Sequence, residues 1–331
     1  MPELLLAESS YQRLAERLKE LAGISFVTLN QDGVLRRDGI EIETGDLRLS
    51  MVRLDMELIF CDQARVIGLM NDTRHFEFIQ TAIAGLDNPL FKALVEKTDV
   101  FCKSDAQAPS IAEFVVASVL NRWHRFDIRR ENQRQHAWQE NHFRQIMGSH
   151  WLIIGYGNIG RWVARQVKGF GARVTGVRRN LAPDEYTDKM INMDQLQQFL
   201  PNADVVLLSC ALNDATRGLV DETFLQSMNS DAVLVNIGRG ELLDEDVLVS
   251  ALDQAELDYA ILDVFENEPL PETSPLWDNE RIQITPHASH RGSMTDTRFD
   301  ELFLHNLNAY LSAGKLRNQV TPDFFKPGEA S

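Results

Sequence analysis

The sequence predicts an α/β protein built on doubly wound parallel sheets, on three observations. Apolar runs of strand length alternate with helical patterns almost throughout, the signature of a parallel sheet covered on both faces. One such run, Trp151-Leu152-Ile153-Ile154, feeds straight into Gly155-Tyr156-Gly157-Asn158-Ile159-Gly160 and then into a helical pattern. The chain has 331 residues, which at roughly 150 residues per domain gives about two domains, large enough to bury cores without staples.

In the first third, strands are expected at 4–7, 25–29, 57–60 and 78–81, with a helix over 11–22. The stretch 30–54 is polar and irregular and predicts no element over most of its length. A long apolar helix is expected from 111 to 125, because Ile111, Phe114, Val115, Val119 and Trp123 recur at helical spacing. A polar, mixed-charge stretch, 127–143, follows it and carries Trp138. From residue 151 the pattern is regular. Six strands are expected at 151–154, 173–177, 204–208, 232–236, 259–264 and 281–285. Helices at 159–168, 222–228 and 245–254 separate most of them, as in a doubly wound nucleotide-binding sheet. One more helix, 295–313, precedes a tail with Pro322 and Pro327.

Composition narrows the function. Hydrophobic residues make up 44% and charged residues 25%, the balance of an ordinary globular chain. A net charge of −16 argues against nucleic acid, whose phosphates need a basic face. An anionic ligand would therefore need a few local arginines against a repulsive background. Cys61, Cys102 and Cys210 show neither metal-ligand nor redox-pair spacing and read as small apolar residues in a reducing compartment. Leu4-Leu5-Leu6-Ala7 is too short for a leader and lacks a positive flank. No apolar run approaches the ~18 residues of a membrane span. A cytoplasmic protein with no bound metal is expected.

The glycine run has a physical logic. Gly155 permits a tight turn, Gly157 lets the backbone approach a pyrophosphate, and Gly160 allows helix and strand to pack closely. Phosphates then meet N–H groups at the helix start, at Asn158, Ile159 and Gly160. The next strand ends at Gly176-Val177, where a carboxylate usually holds the ribose diol of NAD. Here stand Arg178-Arg179-Asn180. Guanidinium groups grip a 2′-phosphate that a carboxylate would repel, so NADPH is the expected cofactor, with NADH admitted as second.

Three further segments follow successive strands: Asn236-Ile237-Gly238-Arg239-Gly240, Asp263-Val264-Phe265-Glu266-Asn267-Glu268-Pro269 and Thr285-Pro286-His287-Ala288-Ser289. All would project from the carboxyl edge of the sheet, where ligands bind. A histidine titrates nearest neutral pH and suits proton transfer. A buried carboxylate bonded to its ring would stabilise the imidazolium. An arginine between small residues can reach a carboxylate and a carbonyl oxygen together. His287, Glu268 and Arg239 fit these parts, although each alone has a bland reading as a loop or turn residue.

From about residue 57 to 312 the chain resembles the D-isomer-specific 2-hydroxyacid dehydrogenase family. The glycine loop and these three segments carry the resemblance, together with Ala203-Asp204-Val205-Val206 and Thr216-Arg217-Gly218-Leu219. Within that family it is most similar to the glyoxylate/hydroxypyruvate reductases, through Leu262-Asp263-Val264-Phe265, Pro269-Leu270-Pro271 and Ser274-Pro275-Leu276-Trp277. The resemblance implies a Rossmann cofactor domain, 103–292, inserted into a flavodoxin-like substrate domain made of 1–102 and 293–331. It implies reduction of a small anionic 2-oxo acid, with Arg239, Glu268 and His287 catalytic and Arg239 also binding substrate. It places the backbone that holds the substrate carboxylate at Ile83, Ala84 and Gly85, and the nicotinamide amide against Asp263. Cys210 and Ile237 complete the implied cofactor contacts. A homodimer is implied, paired through an arm for which 127–143 is the candidate.

Departures from the family pattern are Ser209 and Ala211, where histidine and proline are common, and the unusual 103–110 segment. His290 and Arg291 either reach the pocket or lie on the surface. Two other readings stay open: the same chemistry on a bulkier 2-oxo acid, and a non-catalytic scaffold that senses the dinucleotide.

Overall fold

The computed structural model describes residues 1–61, 68 and 75–325. They form two compact units, Met1–Ala106 with the chain from Ser293 on, and Gln107–Gly292.

In the first unit, β1 (Glu3–Ala7), β2 (Ser25–Leu29), β3 (Leu35–Arg37), β4 (Ile40–Glu41), β5 (Leu49–Leu54), β6 (Phe76–Thr81) and β7 (Thr98–Cys102) share one sheet with a short closing strand, Gln319–Val320. Its parallel centre runs β2-β1-β5-β6-β7, the flavodoxin-like order. The unbroken apolar run of β1 has a simple cause. Leu5 and Ala7 pack on one face, and Leu4 and Leu6 pack on the other beside Phe303 and Leu307 of helix Thr295–Leu311. Both faces are covered, so neither position can be polar.

Two sequence expectations fail here. The stretch read as irregular contains the hairpin of β3 and β4 and the central strand β5. Arg53 disguised that strand, being wholly buried yet paired with Asp55 and Asp300. The expected strand at 57–60 is instead part of helix Met56–Cys61, since a short apolar run does not by itself distinguish strand from helix. Asp55 ends β5 by accepting from the Ala7 N–H and the Ser10 hydroxyl, and its carbonyl starts the helix through the Ile59 N–H. The strand β7 and the helix Pro89–Glu96 were not foreseen. Pro322–Phe325 forms a short helical turn; Pro327 and the Cys61 side chain lie outside the described residues.

The second unit holds β8 (His150–Ile154), β9 (Arg173–Val177), β10 (Lys189–Ile191), β11 (Val205–Leu208), β12 (Val233–Asn236), β13 (Tyr259–Leu262) and β14 (Ile282–Ile284). All are parallel, in the order β10-β9-β8-β11-β12-β13-β14. This is a Rossmann sheet with a seventh strand, where the sequence predicts six; Lys189-Met190-Ile191 is too short to register as a pattern. Order reverses between β8 and β11, and ligands bind at such a switch point. Ile154 and Leu208 sit side by side there.

Helix Ala108–Trp123 starts with Pro109 in its first turn, where a missing N–H does no harm. Its Val115 and Val119 pack with Val163 and Val167 of helix Asn158–Gly169 on one face of the sheet. The polar stretch 127–143 is half helix, within Phe126–Arg134. Beyond that helix Trp138 is 99% exposed. Among the described residues no helix is long and apolar enough to cross a membrane, and no cluster of three His, Cys, Asp or Glu side chains could hold a metal ion.

Candidate active site

Steric demands fix the glycine loop. Gly155 has φ +90°, and a Cβ there would lie 2.3 Å from the Cys210 backbone nitrogen. At Gly160 a Cβ would fall 2.8 Å from Ile153 Cγ2 and 2.9 Å from the Gly155 carbonyl oxygen. A Cβ on Gly157 would meet nothing within 4 Å, so open space lies in front of this backbone. The N–H groups of Asn158 and Ile159 belong to the first turn of helix Asn158–Gly169, which has no intrahelical acceptors for them. These features fit a dinucleotide pyrophosphate.

At the end of β9, Arg178 and Arg179 differ. The Arg178 guanidinium donates to the Asn180 and Ala182 carbonyls at 2.6 and 2.5 Å and lies 5.6 Å above the Tyr156 ring. Arg179 is exposed. Sequence reasoning missed the support beneath them. Tyr156 is buried, donates its hydroxyl to Asp184 at 2.8 Å, and Arg161 grips the other oxygen of Asp184 at 2.8 Å. Ser209 donates to the Gly155 carbonyl at 2.9 Å, so this departure from the family pattern ties β11 to the loop. Cys210 is half-buried, and burial pushes its thiol up to about 11. Ile237 is buried within the core.

Three neighbouring strands, β12, β13 and β14, deliver the remaining residues. After β12, Asn236 brackets the turn: its Nδ2 donates to the Arg239 carbonyl at 2.9 Å and its Oδ1 accepts from the Gly238 N–H at 3.1 Å. Arg239 Nη1 donates to the Gly238 carbonyl at 2.8 Å. Gly240 passes so close to the next loop that a Cβ would sit 1.9 Å from the Phe265 carbonyl carbon. The Arg239 and Glu268 segments are therefore locked together by the absence of a side chain.

Glu268 bridges two loops. Its Oε1 accepts from the Phe265 N–H at 3.0 Å, and its Oε2 lies 2.8 Å from His287 Nδ1. A carboxylate can only accept, so Nδ1 carries the proton. Burial raises the Glu268 carboxyl, but its bonds to His287 and to Phe265 outweigh that and hold it below its ordinary range. The same bond holds His287 above its ordinary value, against partial burial. The sequence predicts a buried carboxylate here, whereas the two side chains are 36% and 46% exposed.

His287 has φ +49°. Asp263, at the end of β13, is 1% exposed, and its carboxylate accepts from Thr285 Oγ1 and the N–H groups of Ala288 and Ser289. His290 lies edge-on to His287, ring centroids 6.0 Å apart. Burial and the charge of His287 hold its pKa down. Arg291 is exposed. Ile83, Ala84 and Gly85 belong to the first unit, past the end of β6, where the Thr81 hydroxyl accepts from the Ile83 N–H at 3.1 Å.

Comparison with known proteins agrees with this architecture. The sequence profile described as "D-isomer specific 2-hydroxyacid dehydrogenase, NAD binding domain" matches residues 116–289. The chain is 28% identical over 260 residues to glyoxylate/hydroxypyruvate reductase A of Arabidopsis thaliana, covering 76% of this chain and 80% of that one. It is 37% identical over 166 residues to 4-methyl-2-oxopentanoate reductase A of Aspergillus oryzae, covering 50% and 49%. A crystal structure of a D-isomer specific 2-hydroxyacid dehydrogenase family protein from Aeromonas salmonicida superposes with a TM-score of 0.81 at 26% identity, covering 97% and 99%. The chain belongs to the D-isomer specific 2-hydroxyacid dehydrogenase family and is an NAD(P)-dependent oxidoreductase of 2-hydroxy and 2-oxo acids.

Proposed function

We propose that this dehydrogenase reduces a small 2-oxo acid of the glyoxylate or hydroxypyruvate type to the D-2-hydroxy acid, with NADPH as hydride source and His287 as proton donor. The observation that carries the reading is the Glu268–His287 pair, 2.8 Å apart, on loops neighbouring that of Arg239. The bound cofactor supplies a hydride to the carbonyl carbon. Arg239 offers N–H donors to the substrate carboxylate and carbonyl oxygen and stabilises the negative charge that develops there. The backbone of Ile83, Ala84 and Gly85 holds the carboxylate. Protonated His287 gives its Nε2 proton to the carbonyl oxygen, keeps its Nδ1 proton, which it donates in the hydrogen bond to Glu268, and is reprotonated at Nε2 from solvent. Residues 1–102 and 293–331 act in this reading as the substrate domain, and 103–292 as the dinucleotide-binding domain.

Arg178 and Arg179 support NADPH over NADH, because no carboxylate at the end of β9 competes for a 2′-phosphate. Asn158, Ile159 and Gly160 hold the pyrophosphate, Gly155 and Gly157 shape the loop, and Cys210 and Ile237 flank the cofactor. The exposed Trp138 supports pairing into a homodimer through 127–143, and the free thiols Cys102 and Cys210 suit a cytoplasmic setting.

A second reading, the same chemistry on a bulkier 2-oxo acid, is favoured by the 4-methyl-2-oxopentanoate reductase relative. The two separate on loss of absorbance at about 340 nm with glyoxylate, hydroxypyruvate, pyruvate and phenylpyruvate, each against NADPH and NADH. Fast oxidation of NADPH by glyoxylate and hydroxypyruvate supports the first reading. Activity confined to phenylpyruvate supports the second. Tight dinucleotide binding with no turnover of any acid overturns both and leaves a sensing scaffold.

A further inference from the structure

Asp184 lies in the turn that follows Arg178 and Arg179, where a bare carboxylate would repel a 2′-phosphate. Both of its oxygens are taken. Oδ1 accepts from the Tyr156 hydroxyl at 2.8 Å and the Tyr186 N–H at 3.0 Å, and Oδ2 accepts from Arg161 Nε at 2.8 Å. Its backbone N–H donates to Thr187 Oγ1 at 3.2 Å. Partial burial raises the Asp184 carboxyl, but the bonds from Arg161, Tyr186 and Tyr156 outweigh that and hold it below its ordinary range. This charged anchor thus joins the glycine loop, the helix Asn158–Gly169 and its own turn. Tyr156 extends the anchor to Arg178. It is 2% exposed and lies against the β9 backbone, where a Cβ on Gly176 would sit 2.8 Å from Tyr156 Cδ2. The Arg178 guanidinium carbon is 5.6 Å from the centre of the Tyr156 ring, within cation–π reach. Arg178 Nε and Nη2 donate to the Asn180 and Ala182 carbonyls. A guanidinium has five N–H groups, so the rest of the fork can still take a phosphate.

We propose that Asp184 is a positioning residue for cofactor selectivity: it fixes Tyr156 as the platform under Arg178, so that the guanidinium is ordered before a 2′-phosphate arrives. The inference rests on the reading of Arg178 and Arg179 as the residues that take that phosphate. An arginine ordered in advance loses less side-chain freedom on binding, and the gain reaches only the dinucleotide that it touches. Asp184 therefore favours a phosphorylated ligand although its own charge has the wrong sign, because Arg161 matches that charge.

The test compares dissociation constants of NADPH and NADH, read from reduced-nicotinamide fluorescence, for the full-length protein and its variants. Arg178→Ala weakens NADPH about tenfold relative to NADH, the scale of one lost charge-assisted bond. Asp184→Ala weakens NADPH about fivefold and NADH less than about twofold. Tyr156→Phe, which keeps the ring and removes the hydroxyl, shows the same selective loss at about threefold. It keeps the inference testable if Asp184→Ala fails to fold. Adding Asp184→Ala to Arg178→Ala changes NADPH binding by less than about twofold, because the two residues act as one unit. A merely structural Asp184 would weaken both dinucleotides alike and add its loss to that of Arg178→Ala. Either result overturns the proposal, as does tighter NADPH in Asp184→Ala, the sign of plain repulsion. Equal binding of both dinucleotides by the wild type overturns the cofactor reading and this inference with it. Selective loss in Arg178→Ala but not in Asp184→Ala overturns this inference alone. No turnover is measured, so the outcome is independent of the substrate and of His287.

Discussion

Arg53 Nε and Asp55 Oδ1 lie 2.8 Å apart in the first unit, and His287 Nδ1 and Glu268 Oε2 lie 2.8 Å apart in the second. The first pair is sealed. Arg53 has no exposed surface, donates to Asp300 at 2.6 Å, and sits 4.4 and 4.9 Å from the rings of Phe299 and Phe303. Asp300 in turn takes Arg13. Burial pushes the Asp55 carboxyl above its ordinary range even with Arg53 beside it. The second pair stands 46% and 36% open, with a histidine that Glu268 holds above its ordinary pKa. Equal distances thus serve different ends. A buried pair withstands desolvation only by satisfying its charges internally, which leaves no proton to exchange. A half-exposed pair keeps one ring nitrogen for the substrate and can be reprotonated.

Breaking the sealed pair has the largest effect on the fold. Arg53→Met strands two buried carboxylates, and the expected loss is about 3–5 kcal/mol, read from the urea midpoint at unchanged slope. A loss within about 0.5 kcal/mol would mean that Asp55 and Asp300 are held by their other partners and that the pair is not the anchor described here.

Charge at the open edge has its next largest effect on cofactor choice. Arg178→Asp with Arg179→Ala weakens NADPH on the order of 100-fold, the scale of two lost charge-assisted bonds, and leaves NADH nearly unchanged. Single substitutions sharpen this, because Arg178 is engaged by the Asn180 and Ala182 carbonyls while Arg179 is exposed. Equal weakening of both dinucleotides would mean that neither arginine reads the 2′-phosphate.

The smallest effect concerns pH. Glu268 holds the His287 pKa up, and reduction uses the protonated ring, so activity is lost as pH rises through that raised value. Glu268→Gln moves this alkaline limb of kcat/KM to lower pH, with rates on the order of tenfold below wild type in mild alkali and converging on it in mild acid. A limb that stays in place would show that some other group sets it.

The second unit was the more legible of the two. Its strands are buried on both faces, so they read as unbroken apolar runs, and Gly155, Gly157 and Gly160 mark the turn between strand and helix. The first unit hid β5 because Arg53 interrupts its pattern, and a buried arginine is invisible until its partners, one of them 247 residues away, are known. At the candidate site, the order of Arg239, Glu268 and His287 after successive strands could be read directly. The bonds that Asp263 accepts from the N–H groups of Ala288 and Ser289 could not, because those groups belong to the backbone and leave no signature in residue type. Tyr156 and Asp184 are likewise 28 residues apart with no motif to join them.

The most direct measurement of the central claim is turnover of glyoxylate and hydroxypyruvate by His287→Asn, alongside NADPH binding to the same variant. Proton transfer by a positioned group contributes about 10²–10⁴ in rate. The account predicts a loss of that size in kcat with the NADPH dissociation constant nearly unchanged. Turnover close to wild type would contradict it, since the proton would then come from a group other than His287.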